Sequence, residues 1–293
     1  MPIGKNVVPL QTNSQTKNNQ YINFMSLKII VLAKQVPDTR NVGPDAMTPE
    51  GTVNRAALPA VFNPEDLNAL EQALRLKDAN PGSTITMLTM GLPKAAEVLK
   101  EGIYRGADEG ILISDRPLGG ADTLATSYTL AQAIKKVGDY DIILCGRQAI
   151  DGDTAQVGPQ VAEKLGLTQI TYTEEIISLD KAAKKIVAKR HIDGGVETVE
   201  GPLPIVVTVN GSAAPCRVRN VKRVWANKNR EFTTWGAADI EADPAQIGKA
   251  GSPTNVKAVK SIVFKAKENK TLTSSDADVE SLIVELMESN TIG

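Results

Sequence analysis

Short apolar runs alternate with amphipathic stretches over residues 27–167, and this alternation restricts the fold more than any other feature of the chain. "LKIIVLA" (27–33), "STITMLTMG" (83–91), "EGILISD" (109–115) and "YDIILCG" (140–146) have the length and apolar character of buried strands. The segments between them carry helical spacing. "PEDLNALEQALRLKDAN" (64–80) puts Leu67, Leu70, Ala73, Leu74 and Leu76 mostly on one face. Pro64 suits a first helical position, and Glu65 and Asp66 suit the positive end of the helix dipole. "PKAAEVLKEGIYRG" (93–106) ends at glycine, and "ADTLATSYTLAQAIKKVG" (121–138) starts near Asp122 and finishes on lysines. Strands alternating with helices predict βαβ units, a parallel sheet and right-handed crossovers. Ligands on such sheets sit beyond the carboxyl ends of the strands, so the loops after Ala33, Met90 and Cys145 are expected to converge.

From residue 172 the pattern changes. "TEEIISL", "KKIVAKRHI", "VETVEG" and "PIVVTVN" read as strands, with "LDKAAK" and "DGG" as turns. The reading is an antiparallel excursion that rejoins the sheet through "LPIVVTVNG". Residues 214–232 are basic and lose the regular alternation. "SSDADVESLIVELMESN" (274–290) reads as a terminal helix, with Ser275 and Asp278 as a pair resembling a capping box. Its apolar stripe of Val279, Leu282, Ile283, Leu286 and Met287 suits either its own domain or a partner. Residues 1–24 are rich in Asn, Gln and Thr and lack the apolar core of a secretory signal; they read as a flexible N-terminal extension. The expected division is an α/β nucleotide-binding domain over 25–225 and a C-terminal arm over 226–293.

Composition narrows the chemistry. The 293 residues carry a net charge of −1, so no global field favours nucleic acid or an anionic membrane, and no matched aromatic set accompanies the basic stretch. No apolar run reaches the roughly eighteen residues of a spanning helix. Cys145 and Cys216 are too few and too distant for a disulfide scaffold, which points to a reducing, cytoplasmic setting. His191 is the single histidine and reads as an ordinary strand or surface residue. With so little His and Cys, zinc sites and a Ser-His-Asp arrangement drop out, and the chemistry is expected to come from a cofactor.

The densest constellation is "CGRQAIDGDTAQVGPQVAEKLGL" (145–167), where the fourth strand turns into a helix. Gly146 and Gly152 permit close backbone approach to a ligand. Thr154 is a good N-cap, which would leave the amides of residues 155–157 pointing outward as an anion site, although Pro159 allows the start to shift toward Gly158. Arg147 adds a forked cation suited to phosphate or a flavin carbonyl, and Gln148, Thr154 and Gln156 add neutral hydrogen-bonding groups. The stretch matches neither common phosphate-loop motif, so a plain strand-to-helix connection stays open on spacing alone. Asp151 and Asp153 offer too few oxygens for a hard cation, and no metal site is expected.

"GRQAIDGDTAQVGPQVAEKLG" resembles the corresponding stretch of electron-transfer flavoprotein beta subunits. "VLAKQVPDT" (31–39), "NPEDLNALEQALRLK" (63–77) and "IDGGVETVEGPLPIVVTV" (192–209) are similar to the same family in the same order. The resemblance covers residues 25–293 and implies a heterodimer, with a C-terminal arm reaching an FAD-carrying alpha subunit. It implies a nucleotide pocket of Leu32, Ala33, Lys34, Asn63, Pro64, Glu65, Met90, Gly146, Arg147, Gln148, Ala149, Ile150, Asp151, Gly152, Asp153, Thr154, Ala155, Gln156 and Val157. One subgroup of the family holds AMP structurally; the other, electron-bifurcating, holds a second FAD. "DGDTAQVGP" looks like the second form. In that form NADH reduces the beta-bound flavin. One electron then passes through the alpha FAD to an acyl-CoA dehydrogenase-like partner and the other to ferredoxin or flavodoxin. On this reading the chain is an electron-transfer protein within an NADH-dependent oxidoreductase complex, and no side chain acts as a catalytic nucleophile. The resemblance also implies a docking loop within "APCRVRNVKRVW" (214–225), around Arg217, Val218, Arg219 and Asn220; its basic character departs from the apolar loop of AMP-type members. A stand-alone nucleotide binder is the more distant alternative, and the long tail argues against it.

Overall fold

The structure is a computed structural model; it describes residues 26–38, 59–254 and 270–292. The extension expected over 1–24 lies outside the described residues. The elements are β1 (Lys28–Leu32), β2 (Gln35–Pro37), β3 (Ala60–Phe62), α1 (Pro64–Ala79), β4 (Thr84–Met90), α2 (Ala96–Arg105), β5 (Glu109–Ile113), α3 (Thr123–Val137), β6 (Ile142–Gly146) and α4 (Val157–Leu165). They continue with β7 (Thr168–Asp180), β8 (Lys185–Ile192), β9 (Gly195–Pro202), β10 (Ile205–Val209), α5 (Val221–Asn227), β11 (Thr233–Trp235) and α6 (Asp276–Glu288).

A nine-stranded sheet runs β11-β5-β4-β1-β6-β10-β7-β8-β9. From β11 to β7 every neighbouring pair is parallel. β7, β8 and β9 form the expected antiparallel excursion, and β10 rejoins the sheet between β6 and β7. The central strands alternate between two apolar clusters. Ile29 and Val31 of β1, Ile142 and Leu144 of β6, and Ile205, Val207 and Val209 of β10 pack toward Leu70 and Leu74 of α1 and Leu99 of α2. Ile30, Ile143 and Val206 pack toward Leu130 and Ile134 of α3 and Val161 of α4. Burial on both faces explains why these strands are apolar almost throughout, with Lys28 at the exposed start of β1 and Thr208 in β10 as exceptions.

The sequence runs from β1 outward to β4 and β5, then returns to the other side of β1 as β6. The order reverses between β1 and β6, and the carboxyl ends of the strands at such a reversal are where ligands of open α/β sheets are expected to bind, in the crevice between the two connections.

The structure differs from the sequence reading at several places. Gln35–Pro37 and Ala60–Phe62, read as loop, form a small antiparallel ribbon. The helix read from residue 93 opens as a 3-10 turn, Pro93–Ala95, before α2. The α/β unit also continues past the expected limit at residue 225. β11 joins the edge of the sheet beside β5, and Ala237, Ile240 and Ile247 are buried in the α3–α4 cluster. Asp122, the N-cap of α3, donates its amide to Ser252 Oγ at 2.8 Å and accepts from the Thr254 amide at 3.1 Å. Of the expected arm, α6 has no buried residue. Its N-cap is Ser275 as read, but Asp278 reaches the Thr273 amide at 2.8 Å instead of closing a box on Ser275.

Candidate functional site

The first turn of α1 lies against the ends of β1 and β6, and that contact organises the crevice. Asn63 occupies the N-cap position yet makes no cap bond. Its side chain instead donates to the Gln148 carbonyl at 2.8 Å and accepts from the Ile150 amide at 3.2 Å. Glu65 accepts from the Gln148 amide at 2.9 Å and takes the Arg147 guanidinium at 2.9 and 3.4 Å. Asp66 accepts from the Lys34 amide at 2.8 Å and from the Gly146 amide at 2.8 Å. The acidic residues that a helix N-terminus favours thus hold the loops of two strands as well. A Cβ on Gly146 would lie 2.6 Å from Asp66 Oδ1 and 2.8 Å from the α1 backbone. The close approach that glycine permits here is to α1, where the sequence reading expected a ligand.

The loop from Arg147 to Gln156 is drawn in by its neighbours. Lys34 Nζ lies 2.6 Å from Asp151 Oδ1, and Gln148 Nε2 donates to Asp153 Oδ1 at 2.8 Å. The Gly152 and Asp153 amides both turn back to the Ala149 carbonyl. Asp153 (φ 46°) and Ala155 (φ 53°) occupy the left-handed region, an uncommon state for residues with a Cβ and one that gathers near binding sites.

The helix start is corrected accordingly. Thr154 is not the cap: α4 begins at Val157 with Gln156 as the N-cap residue. The left-handed residue at 155 keeps the chain out of helix until then, and Pro159 falls in the first turn, where its missing N–H costs no helical bond. Gln156 accepts from Thr123 Oγ1 at 2.7 Å, which links the start of α3 to that of α4. Among the described residues nothing accepts from the amides of Thr154, Ala155, Val157 and Gly158. Thr154 is exposed and Ala155 and Val157 are half-buried, whereas Gly158 is buried against Thr208 and Cys145. Accessible amides in a loop with left-handed residues and at a helix N-terminus are donors suited to phosphate oxygens. A Cβ built on Gly152 meets nothing within 4 Å, so space adjoins them.

Of the residues expected to line a pocket, those at 34, 63, 65 and 146–157 are thus brought together. Leu32 and Ala33 are buried at the end of β1, and Pro64 opens α1. Met90, at the end of β4, packs partly buried against the α3–α4 cluster. Asp66, Thr123 and Tyr172 carry the arrangement too and escaped the sequence reading. Tyr172 has a φ of 58° where the register of β7 on β10 shifts, and its ring stands 5.3 Å from the Arg147 guanidinium. Arg147 is therefore positioned by a carboxylate and an aromatic face together.

The segment expected to dock a partner is arranged otherwise than its basic composition suggests. Arg217 pairs with Glu71 at 3.0 Å and Asp78 at 2.8 Å, and Arg219 pairs with Glu101 at 2.6 Å. Asn220 caps α5 through the Arg223 amide. Alongside the exposed Arg219, Asn220 and Lys222, the large apolar side chains Val218, Val221 and Trp225 face solvent, at 84%, 82% and 76% exposure.

No group of His, Cys, Asp and Glu among the described residues could hold a metal ion, and no described helix is long and apolar enough to cross a membrane. Cys145 and Cys216 are free thiols, and His191 lies exposed on β8, its Nδ1 3.4 Å from Glu174.

The sheet order, with its reversal between β1 and β6 and helices on both faces, defines a doubly wound α/β protein. The electron transfer flavoprotein domain matches residues 50–240. The chain is 46% identical over 239 residues to the electron transfer flavoprotein subunit beta of Megasphaera elsdenii, covering 80% of this chain and 87% of that one. It is 46% identical over 230 residues to the caffeyl-CoA reductase-Etf complex subunit CarD of Acetobacterium woodii, covering 78% and 86%. It is 43% identical over 237 residues to the acryloyl-CoA reductase electron transfer subunit gamma of Anaerotignum propionicum, covering 78% and 86%. The chain belongs to the electron transfer flavoprotein family, among its beta subunits.

Proposed function

We propose that this beta subunit binds FAD in the β1–β6 crevice and works in flavin-based electron bifurcation. In this reading NADH is the donor, an acyl-CoA dehydrogenase-like enzyme is the high-potential acceptor, and ferredoxin or flavodoxin is the low-potential one. The observation that carries it is that no described residue accepts from the amides of Thr154, Ala155 and Val157, in a loop whose Gly152 has open space around it. A pyrophosphate offers enough oxygens for several such donors, and the open side leaves room for the rest of the nucleotide. The relatives named for caffeyl-CoA and acryloyl-CoA reductase complexes support a redox assignment of this kind.

When bound, FAD would supply hydride acceptance and one-electron transfer. The chain's own part is to bind and orient. The loop amides would hold phosphate, Glu65 and Tyr172 would fix Arg147 at the crevice, and Lys34 with Asp151 would close its other side. The alpha subunit is proposed to cover the exposed apolar stripe of α6, and the dehydrogenase-like partner to dock on Val218, Val221 and Trp225.

The test is anaerobic turnover of the alpha–beta complex together with its partner. NADH-driven reduction of ferredoxin or flavodoxin that requires the high-potential acyl-CoA acceptor is the expected outcome. NADH oxidation without any low-potential product contradicts bifurcation. Asp153→Arg or Thr154→Trp should release the beta-bound nucleotide, and full occupancy in both variants would reject this location.

A further inference from the structure

We propose that Asp66 is the positioning residue of the crevice: its carboxylate clamps the ends of β1 and β6 across the strand-order reversal, and only the ionised form holds both loops in the ligand-binding arrangement. The inference rests on the nucleotide reading above and adds a residue and a proton dependence to it.

The geometry is specific. One oxygen of Asp66 accepts from the Gly146 amide and the other from the Lys34 amide, each at 2.8 Å. Those amides belong to the second residue after β1 and the last of β6. Lys34 leads to the Asp151 contact, and Gly146 precedes the loop bearing the unpaired amides. One buried carboxylate therefore sets the separation of the two walls of the crevice. Asn63 and Glu65, on either side of Pro64, then fix the rest of the loop at residues 148 and 150.

The two strand-end partners of Asp66 are backbone donors. A protonated carboxyl would bring a hydrogen to one of them, so one strand end would lose its acceptor. Among the described residues, the charged and titratable groups around it are Glu65 on its own helix, Lys34 after β1, Cys145 on β6, and Arg147 and Asp151 in the loop. Burial raises the Asp66 carboxyl, and the two amides together with Asn63 and Lys34 pull it down; the balance is about 7. Protonation in the physiological range would thus loosen the crevice.

The experiment measures nucleotide affinity of the stripped alpha–beta complex, wild type and Asp66→Asn, across pH. FAD is the main probe because its pyrophosphate does not titrate in this range; AMP is run in parallel, and the wild-type to variant ratio cancels its own titration. Wild type should weaken by roughly tenfold from about pH 7.5 to about pH 6, as expected for binding that requires one deprotonated group. Asp66→Asn should bind more weakly at about pH 8 and show a flat profile. A merely structural role would lower affinity without altering the pH slope. Equal affinity and equal slope in the two proteins overturn the inference and leave the nucleotide reading intact, whereas a wild type that binds neither FAD nor AMP overturns that reading. Should Asp66→Asn fail to assemble, the wild-type FAD profile decides: a slope supports the clamp and a flat profile rejects it.

Discussion

Gly146 shows how one missing side chain fixes the site. Its hydrogen sits where a Cβ would meet Asp66 and the first turn of α1, both anchored by the sheet. Gly146→Ala is therefore expected to cost about 1–3 kcal/mol by overpacking, measured by urea unfolding, and to reduce nucleotide occupancy of the complex. Wild-type stability with full occupancy would show that α1 can move aside. Asp66 carries a second prediction. Because its carboxyl is raised in the fold from 3.8 to about 7, its stabilising contribution is complete below the unfolded value and is lost as pH rises through about 7. Wild type should lose stability relative to Asp66→Asn between about pH 4 and about pH 8, by on the order of 4 kcal/mol at most. A pH-independent difference would remove the ionisation cost. The ionised form that orients the loops is thus the one that burdens the fold, a pattern common at binding sites.

At the scale of elements, residues 214–227 separate composition from surface. The run is basic, yet Arg217 is drawn in against Glu71 on α1 and Arg219 is tied to Glu101 on α2, while Val218, Val221 and Trp225 stand exposed among the remaining charges. Arg217→Ala would leave the buried Glu71 with Arg75 as its one remaining described cation; burial pushes the Glu71 carboxyl up, and Arg217 with Arg75 holds it below its ordinary range. The expected loss is about 1–3 kcal/mol, less than for a fully buried pair because Arg217 is partly exposed. Trp225→Ala should leave the unfolding midpoint unchanged and weaken binding of the dehydrogenase-like partner; the reverse result would place Trp225 in the fold. Helices and strands were legible from their periods, because period reports local burial. The start of α4 was not: the left-handed turn at Ala155 shifts it beyond Thr154, and φ leaves no mark on an alanine. Tyr172 was hidden for the same reason, since its role depends on a register shift between β7 and β10.

At the scale of the whole molecule, parallel pairing brings residues distant in sequence into contact, and the order of strands lies beyond periodicity. The glycines and polar residues of 146–157 marked the crevice, and the order β4-β1-β6-β10 explains why they fall there. Asp66 looked like ordinary dipole complementation because its partners, residues 34 and 146, are distant in sequence. The most direct test of the central claim is a count of the nucleotides released when the purified alpha–beta complex is denatured. The account predicts FAD from both subunits and no AMP; a single FAD accompanied by AMP, or no nucleotide from the beta subunit, would contradict it.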